Sequence, residues 1–423
     1  MLARDLVRRI SSYCLTTLAL GFAMTWLVPA AHAQGIVLLH AFSGPDGSQP
    51  EAGLIMDGRG NLYGTTQLGG SSGDGTVFEL SYEHSSWILT TLYTFRGGQD
   101  GAKPLGRVVF GPDGALYGTT SEGGGSGNFG TVFRLNPSAT VCHAVQCPWT
   151  ETVLYSFTGG SDGAYPQFVD LAFDSAGNIY GTTGKGGQYC DVYGSCGTVF
   201  KLTKSGQQWI ETTLYAFSGG SDGAVPYGGV ALDSHGNLYG TTGFGGANGF
   251  GTVFEVTTNG SGWSETVLHS FDTISEDGES PFAGVVLDAQ GNIYGTTLLG
   301  GASDSGTAYE LLRSPSGWIY LSLASFSASY SGPNGVPTLF DGVIFGVTQN
   351  DGANSSGNVY ALVNNGGQGS WTNLDLFDFG GQLSQYGVTG SGAVVLDSSF
   401  NVYGTTATEG AHDNGVIWEY EIY

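Results

Sequence analysis

The sequence predicts an all-β fold, a seven-bladed β-propeller with four-stranded blades, and three observations predict it. Asn-Leu-Tyr-Gly-Thr-Thr or a close variant recurs seven times, with its aromatic at Tyr63, Tyr117, Tyr180, Tyr239, Tyr294, Phe345 and Tyr403. The intervals run from 51 to 63 residues, a period that marks a repeat architecture. Each repeat divides into four short runs of strand length and composition, and nothing after residue 33 sustains a helical period.

Residues 229–271 show one repeat. An apolar run A, Gly229–Asp233, ends in a turn. Run B, Asn237–Thr242, follows, then a glycine-rich loop. Run C, Gly251–Val256, is rich in β-branched and aromatic residues, and run D, Glu265–Phe271, closes the unit. The A strands are expected at Ala52–Asp57, Arg107–Gly111, Asp170–Asp174, Gly229–Asp233, Gly284–Asp288, Thr338–Asp341 and Ala393–Asp397. Asp57, Asp174, Asp233, Asp288 and Asp397 read as turn acids between A and B, because Asp bonds its own backbone two residues on. Four-stranded units arranged about an axis hide their strand edges. Ile36–Phe42 is a lone D-type run, and the chain ends on a C-type run, Gly415–Tyr420. The first strand is therefore expected to complete the last blade and close the ring.

The first 33 residues form a separate segment. Arg4, Arg8 and Arg9 precede an apolar run, Leu15–Ala30, and Ala31-His32-Ala33 offers a small-residue cleavage site. This is the pattern of a secretory signal peptide and not of a membrane span. The expected organisation is a signal peptide over 1–33 and the propeller over 34–423. Cleavage near Ala33 leaves 390 residues with 9 basic and 35 acidic side chains, a net charge of −26. Such a surface repels nucleic acid and anionic lipid. The expected location is outside the cytoplasm: secreted, periplasmic or on the surface of a bacterium. Four cysteines remain after cleavage, in two local pairs, Cys142 with Cys147 and Cys190 with Cys196. In an exported chain they read as two disulfides. A zinc site is the alternative, with His143 inside the first pair, but the spacing is not that of a zinc motif, and no metal ligands are assigned.

Gly236-Asn-Leu-Tyr-Gly-Thr-Thr242, Gly251-Thr-Val-Phe254 and Leu214-Tyr-Ala-Phe-Ser-Gly-Gly-Ser-Asp-Gly223 recur in this order. The pattern resembles the GloVer tandem repeat of exported bacterial proteins, named for Gloeobacter and Verrucomicrobia, over Gly35 to Tyr423. The resemblance implies export and a β-rich repeat, and it implies no activity. The Asp-x-x-Gly-Asn-Leu-Tyr turn is also loosely similar to that of NHL-type propellers.

The loops from D to the next A repeat Asp-Gly-x-x-Pro. Their acids, Asp46, Asp100, Asp162, Asp222 and Asp277, are the candidate binding residues at the channel rim, where a ring of carboxylates could hold a cation or a basic ligand. The competing reading is that Asp, Gly and Pro simply build the turn. The loops from B to C vary most, as specificity loops on a rigid scaffold do. Trp87, Trp149, Trp209, Trp263, Trp318 and Trp371 precede D strands, a fixed position that reads as packing before it reads as a sugar platform. No nucleophile elbow or His-Glu-x-x-His is present, so no catalytic residue is assigned. The expectation is a secreted, monomeric binding module for a glycan, a protein or a cation, without a cofactor apart from a cation at the rim. A polysaccharide hydrolase or lyase using rim carboxylates is the second reading, and a purely structural surface protein the third.

Overall fold

The Tyr-Gly-Thr-Thr run is the second strand of its blade, and each of its residues has its own task. The computed structural model describes residues 35–137, 149–187, 194, 196–273, 277–327, 332–367, 369–380 and 388–422. In blade 4 the strands are Ala231–Leu232, Leu238–Thr242, Thr252–Thr258 and Trp263–Ser270, antiparallel and adjacent in that order. Tyr239 donates its hydroxyl to Glu255 on the third strand at 2.7 Å. Gly240 lies under the Phe254 ring, where a Cβ would come within 2.6 Å of Cζ. Thr241 donates to the Ala283 carbonyl of the next blade at 2.7 Å. Thr242 donates to Phe244 O at 3.0 Å and accepts from Thr252 N at 3.2 Å, fixing the start of the third strand. The bond between blades recurs from Thr65 to Gly106, Thr182 to Gly228 and Thr296 to Gly335.

The turn acids behave as expected. Asp57 Oδ1 accepts from the backbone of Arg59 and Asn61 at 2.8 and 2.9 Å, and Oδ2 accepts from Asn61 Nδ2 at 3.0 Å. Asp174, Asp233, Asp288 and Asp397 repeat the arrangement.

Seven four-stranded antiparallel sheets form the ring. Their innermost strands are shorter than expected: in the first five blades the ladder spans two residues, as at Ile55–Met56 and Val109–Phe110. The reason lies at the axis, where neighbouring inner runs meet side by side before they pair within their own blades. Gly53 bridges Ala393 in parallel, and a Cβ on Gly229 would lie 2.2 Å from Asp170 O. The last blade is built from Val388–Leu396, Val402–Thr408, Val416–Tyr420 and, outermost, Ile36–Ala41. Ile36 stands opposite Tyr420 and Ala41 opposite Val416.

The core sits in the seams between blades. One cluster joins Val199 and Phe217 of blade 3 to Leu238 and Phe254 of blade 4. Another joins Phe42 and Ile417 of the last blade to Leu54 and Phe78 of the first. In each seam the phenylalanine ending a D strand meets an aromatic on the next blade's third strand. Ring centroids are 5.3 Å apart for Phe42 and Phe78, 5.2 Å for Phe95 and Phe133, and 5.1 Å for Phe217 and Phe254, the edge-on geometry aromatic quadrupoles favour. The tryptophans pack in the same seams. Trp149 lies 6.5 Å from Tyr63, Trp318 6.2 Å from Tyr239 and Trp87 6.3 Å from Tyr403. Among the described residues no helix is long and apolar enough to cross a membrane.

Candidate ligand-binding site

Strand direction puts the D-to-A and B-to-C loops on one face, and the Asp-Gly-x-x-Pro segments organise it. Each rim acid is held by an aromatic near the end of the preceding D strand. Tyr93 donates to Asp100 Oδ2 at 2.9 Å, Tyr155 to Asp162 at 2.9 Å and Tyr215 to Asp222 at 3.0 Å. His40 and His269 take the same position against Asp46 and Asp277, at 2.8 and 2.9 Å. Backbone amides of Ser43, Thr158 and Ser218 add bonds of 2.7–2.8 Å. At Asp46 burial opposes ionisation, but the bonds from His40 and Ser43 outweigh it and hold the carboxyl down to about 2.

The rest of the motif staples one blade to the next. Lys103 N donates to Asp74 O at 2.9 Å, Ser121 N donates to Lys103 O at 3.0 Å, and Ala102 and Glu122 exchange both backbone bonds. To do this the residue before proline turns left-handed: φ is 57° at Gln49, 54° at Lys103 and Tyr165, 58° at Val225 and 56° at Ser280. For a β-branched residue such as Val225 that conformation is strained. The proline then seats on the glycine that opens a third strand: a Cβ on Gly251 would lie 2.7 Å from Pro281 Cδ.

The five acids thus sit in five separate turns, each bonded to the D strand that precedes it. The residues lining the channel include none of them, and among the described residues no three of His, Cys, Asp and Glu gather closely enough to hold a metal ion. Of the four cysteines, Cys196 is buried next to Gly197, just before the third strand of its blade. Cys142, Cys147 and Cys190 lie outside the described residues, as does the segment 1–33.

The channel itself narrows below the loop face to a cavity of about 30 Å³ beside Glu51, Arg107, Phe168, Asp170 and Asn334. Arg107 and Asp170 form an ion pair across two blades, and burial raises the Glu51 carboxyl above its ordinary range. Beyond this throat the channel opens to about 540 Å³ between mostly apolar inner strands, with Ile55, Val109, Val285 and Val394 on its wall.

Over the throat lies a pocket of about 280 Å³, lined by Gln167, Phe168, Tyr227, Phe282, Leu298, Asn334 and Gln349. The staples position it. Gln167, Tyr227 and Phe282 each directly follow a motif proline, and Leu298 and Gln349 open B-to-C loops. Phe282 meets Tyr227 edge-on at 5.0 Å and Phe244 at 5.7 Å, and Gly243 leaves room for its ring, since a Cβ there would lie 2.6 Å from Cε1. Burial raises the Tyr227 phenol, keeping it neutral. No formal charge lines the pocket. Asn334 Oδ1 is buried and has no hydrogen-bond partner.

Sequence reasoning misses this cluster because the repeated acids are the most prominent feature of the motif. The signal was one step away. After the motif proline the first two repeats have Glu51 and Leu105, whereas the next three have Gln167-Phe168, Tyr227 and Phe282.

Residues 27–193 match the Gloeobacter/Verrucomicrobia repeat. No curated protein sequence matches the chain. Among solved structures, a puromycin hydrolase aligns with TM-score 0.52 and 10% identity over 86% of this chain and 50% of its own. A candidate 6-phosphogluconolactonase from Bacteroides uniformis aligns with TM-score 0.46 and 14% identity, over 79% of this chain and 86% of its own. The PQQ-bound aldose sugar dehydrogenase of Streptomyces coelicolor aligns with TM-score 0.39 and 12% identity, over 92% and 98%. At 10% identity the likeness to the hydrolase speaks for the fold alone.

Proposed function

We propose that this protein is an exported β-propeller binding module that seats its ligand at the loop-face mouth of the channel. One observation carries the reading: the blades are near-repeats, yet Phe168, Tyr227 and Phe282 break the repeat on one side of the mouth and converge on a single pocket. A purely structural ring has no use for a deviant cluster, whereas concave, mostly apolar sites with a few convergent polar groups are where ligands bind. The pocket lining offers no carboxylate, histidine or nucleophile, which favours binding over hydrolysis.

Export rests on Arg4, Arg8, Arg9 and the small-residue site before Gln34, and it makes the pairs Cys142–Cys147 and Cys190–Cys196 disulfides of the mature protein. Cell fractionation with N-terminal sequencing tests this part: a periplasmic or extracellular product beginning at Gln34 supports it, and a cytoplasmic full-length product overturns it. For the mouth, a thermal-shift screen of soluble sugars, amino acids, short peptides and divalent cations should give at least one ligand whose effect vanishes in Phe282→Ala. A screen in which every hit survives that substitution overturns the assignment of the mouth.

A further inference from the structure

We infer that the mouth pocket takes pyranose rings of a neutral polysaccharide, an inference that rests on the reading of the mouth as a binding site. The aromatic side chains Phe168, Tyr227 and Phe282 provide apolar surface, and a pyranose ring has C–H faces that pack on it. The polar complement is three primary amides, Gln167, Asn334 and Gln349. Each amide carries both donors and acceptors in one plane, which matches vicinal hydroxyls that are themselves both. Among the described residues none of these three side chains is engaged by another group, and Asn334 Oδ1 is buried without a partner. A purely apolar ligand would leave all three amides unpaired.

Charge selects within the sugars. The pocket presents no cation, and Arg107 below it is committed to Asp170. The whole chain carries a net charge of −24, so its field repels uronate, sulfate and phosphate groups before contact. A polymer would lie on the loop face with one stretch in the pocket.

Affinity electrophoresis of the mature protein through gels containing a neutral glucan, a mannan, a xylan, polygalacturonate or alginate tests this. At least one neutral polymer is expected to retard the protein, with retardation unchanged between low and high salt because no ion pair is involved. Phe282→Ala and Tyr227→Ala should each weaken it about tenfold, the size of one lost aromatic contact. Gln349→Ala should also weaken it, while its melting temperature stays that of the parent, which separates binding from folding. Retardation by the acidic polymers only, or retardation that falls with salt, overturns the inference. So does a mouth-dependent ligand that is not a sugar, though that outcome leaves the binding-module reading intact. If no ligand of any class depends on Phe282, Tyr227 or Gln349, both fail together.

Discussion

Asp222 illustrates what a repeated acid does in this ring. Its carboxylate accepts from Tyr215 Oη at 3.0 Å, Ser218 N at 2.7 Å and Ser218 Oγ at 2.6 Å. Removing it strands a phenol and a backbone amide at the start of a staple whose next residues already adopt a strained φ. We therefore expect Asp222→Ala to lose about 1–3 kcal/mol of stability, the usual cost of unpaired polar groups, while leaving binding at the mouth unchanged. A urea titration that gives the parent midpoint, or a loss of ligand without a loss of stability, would contradict the turn-building role. The Asp-Gly-x-x-Pro repetition was plain in the sequence, but its purpose was not. The partner that fixes each acid lies upstream across the end of a strand, seven residues away at Tyr93, Tyr155 and Tyr215, six at His40 and eight at His269. Only three dimensions show that these rings face the loop. Likewise Phe168, Tyr227 and Phe282 are far apart in sequence, and nothing local signals that they share one pocket.

At the scale of strands, the seams hold the most telling electrostatics. Glu151, Glu211 and Glu265 each follow a seam tryptophan by two residues on a D strand. Burial pushes each carboxyl up, and the loop acids Asp100, Asp162 and Asp222 push it further, to about 7. Glu151 Oε1 and Glu265 Oε1 are buried without a hydrogen-bond partner. A folded value above the ordinary 4.5 means that folding favours the protonated acid. Its contribution is full below the unfolded value and is lost as pH rises through about 7. Asp46 has the opposite sign. Its depressed value makes a contribution that is present above 3.8 and lost as pH falls through about 2. The ring should thus be most stable on the acid side of neutrality. A Glu151→Gln, Glu211→Gln, Glu265→Gln protein should melt higher than the parent at about pH 8, and the two should converge near pH 4.5. A parent melting temperature that climbs from pH 5 to 8, or a triple variant with the same pH profile, would refute the assignment. Strand order and blade number were legible because β-branched and aromatic runs alternate with glycine turns. The inner strands were overestimated because Ala52–Asp57 and its equivalents look like ordinary strands, and sequence alone does not reveal that seven of them crowd one axis.

For the whole molecule, the connection that matters most joins residue 36 to residue 420. Ile36–Ala41 is the outermost strand of the last blade, and Leu39 and Phe42 fill the seam toward Leu54 and Phe78 of the first. That pairing spans nearly the whole chain, so it carries the greatest loop-closure cost and can form only after the C-terminal strand exists. A chain lacking residues 34–42 should leave Val416–Tyr420 as a bare edge, and bare edges recruit other chains. It should also empty the Phe42 site, and Phe deletions in cores cost about 3–5 kcal/mol on their own. We expect the truncated protein to unfold without a single cooperative transition and to elute as aggregates in size-exclusion chromatography. A synthetic peptide of residues 34–43 added during refolding should restore the monomer, since an extended peptide can supply a missing edge strand. A truncated protein that stays monomeric with the parent's sharp transition would show that six complete blades and a three-stranded seventh hold without the N-terminal strand.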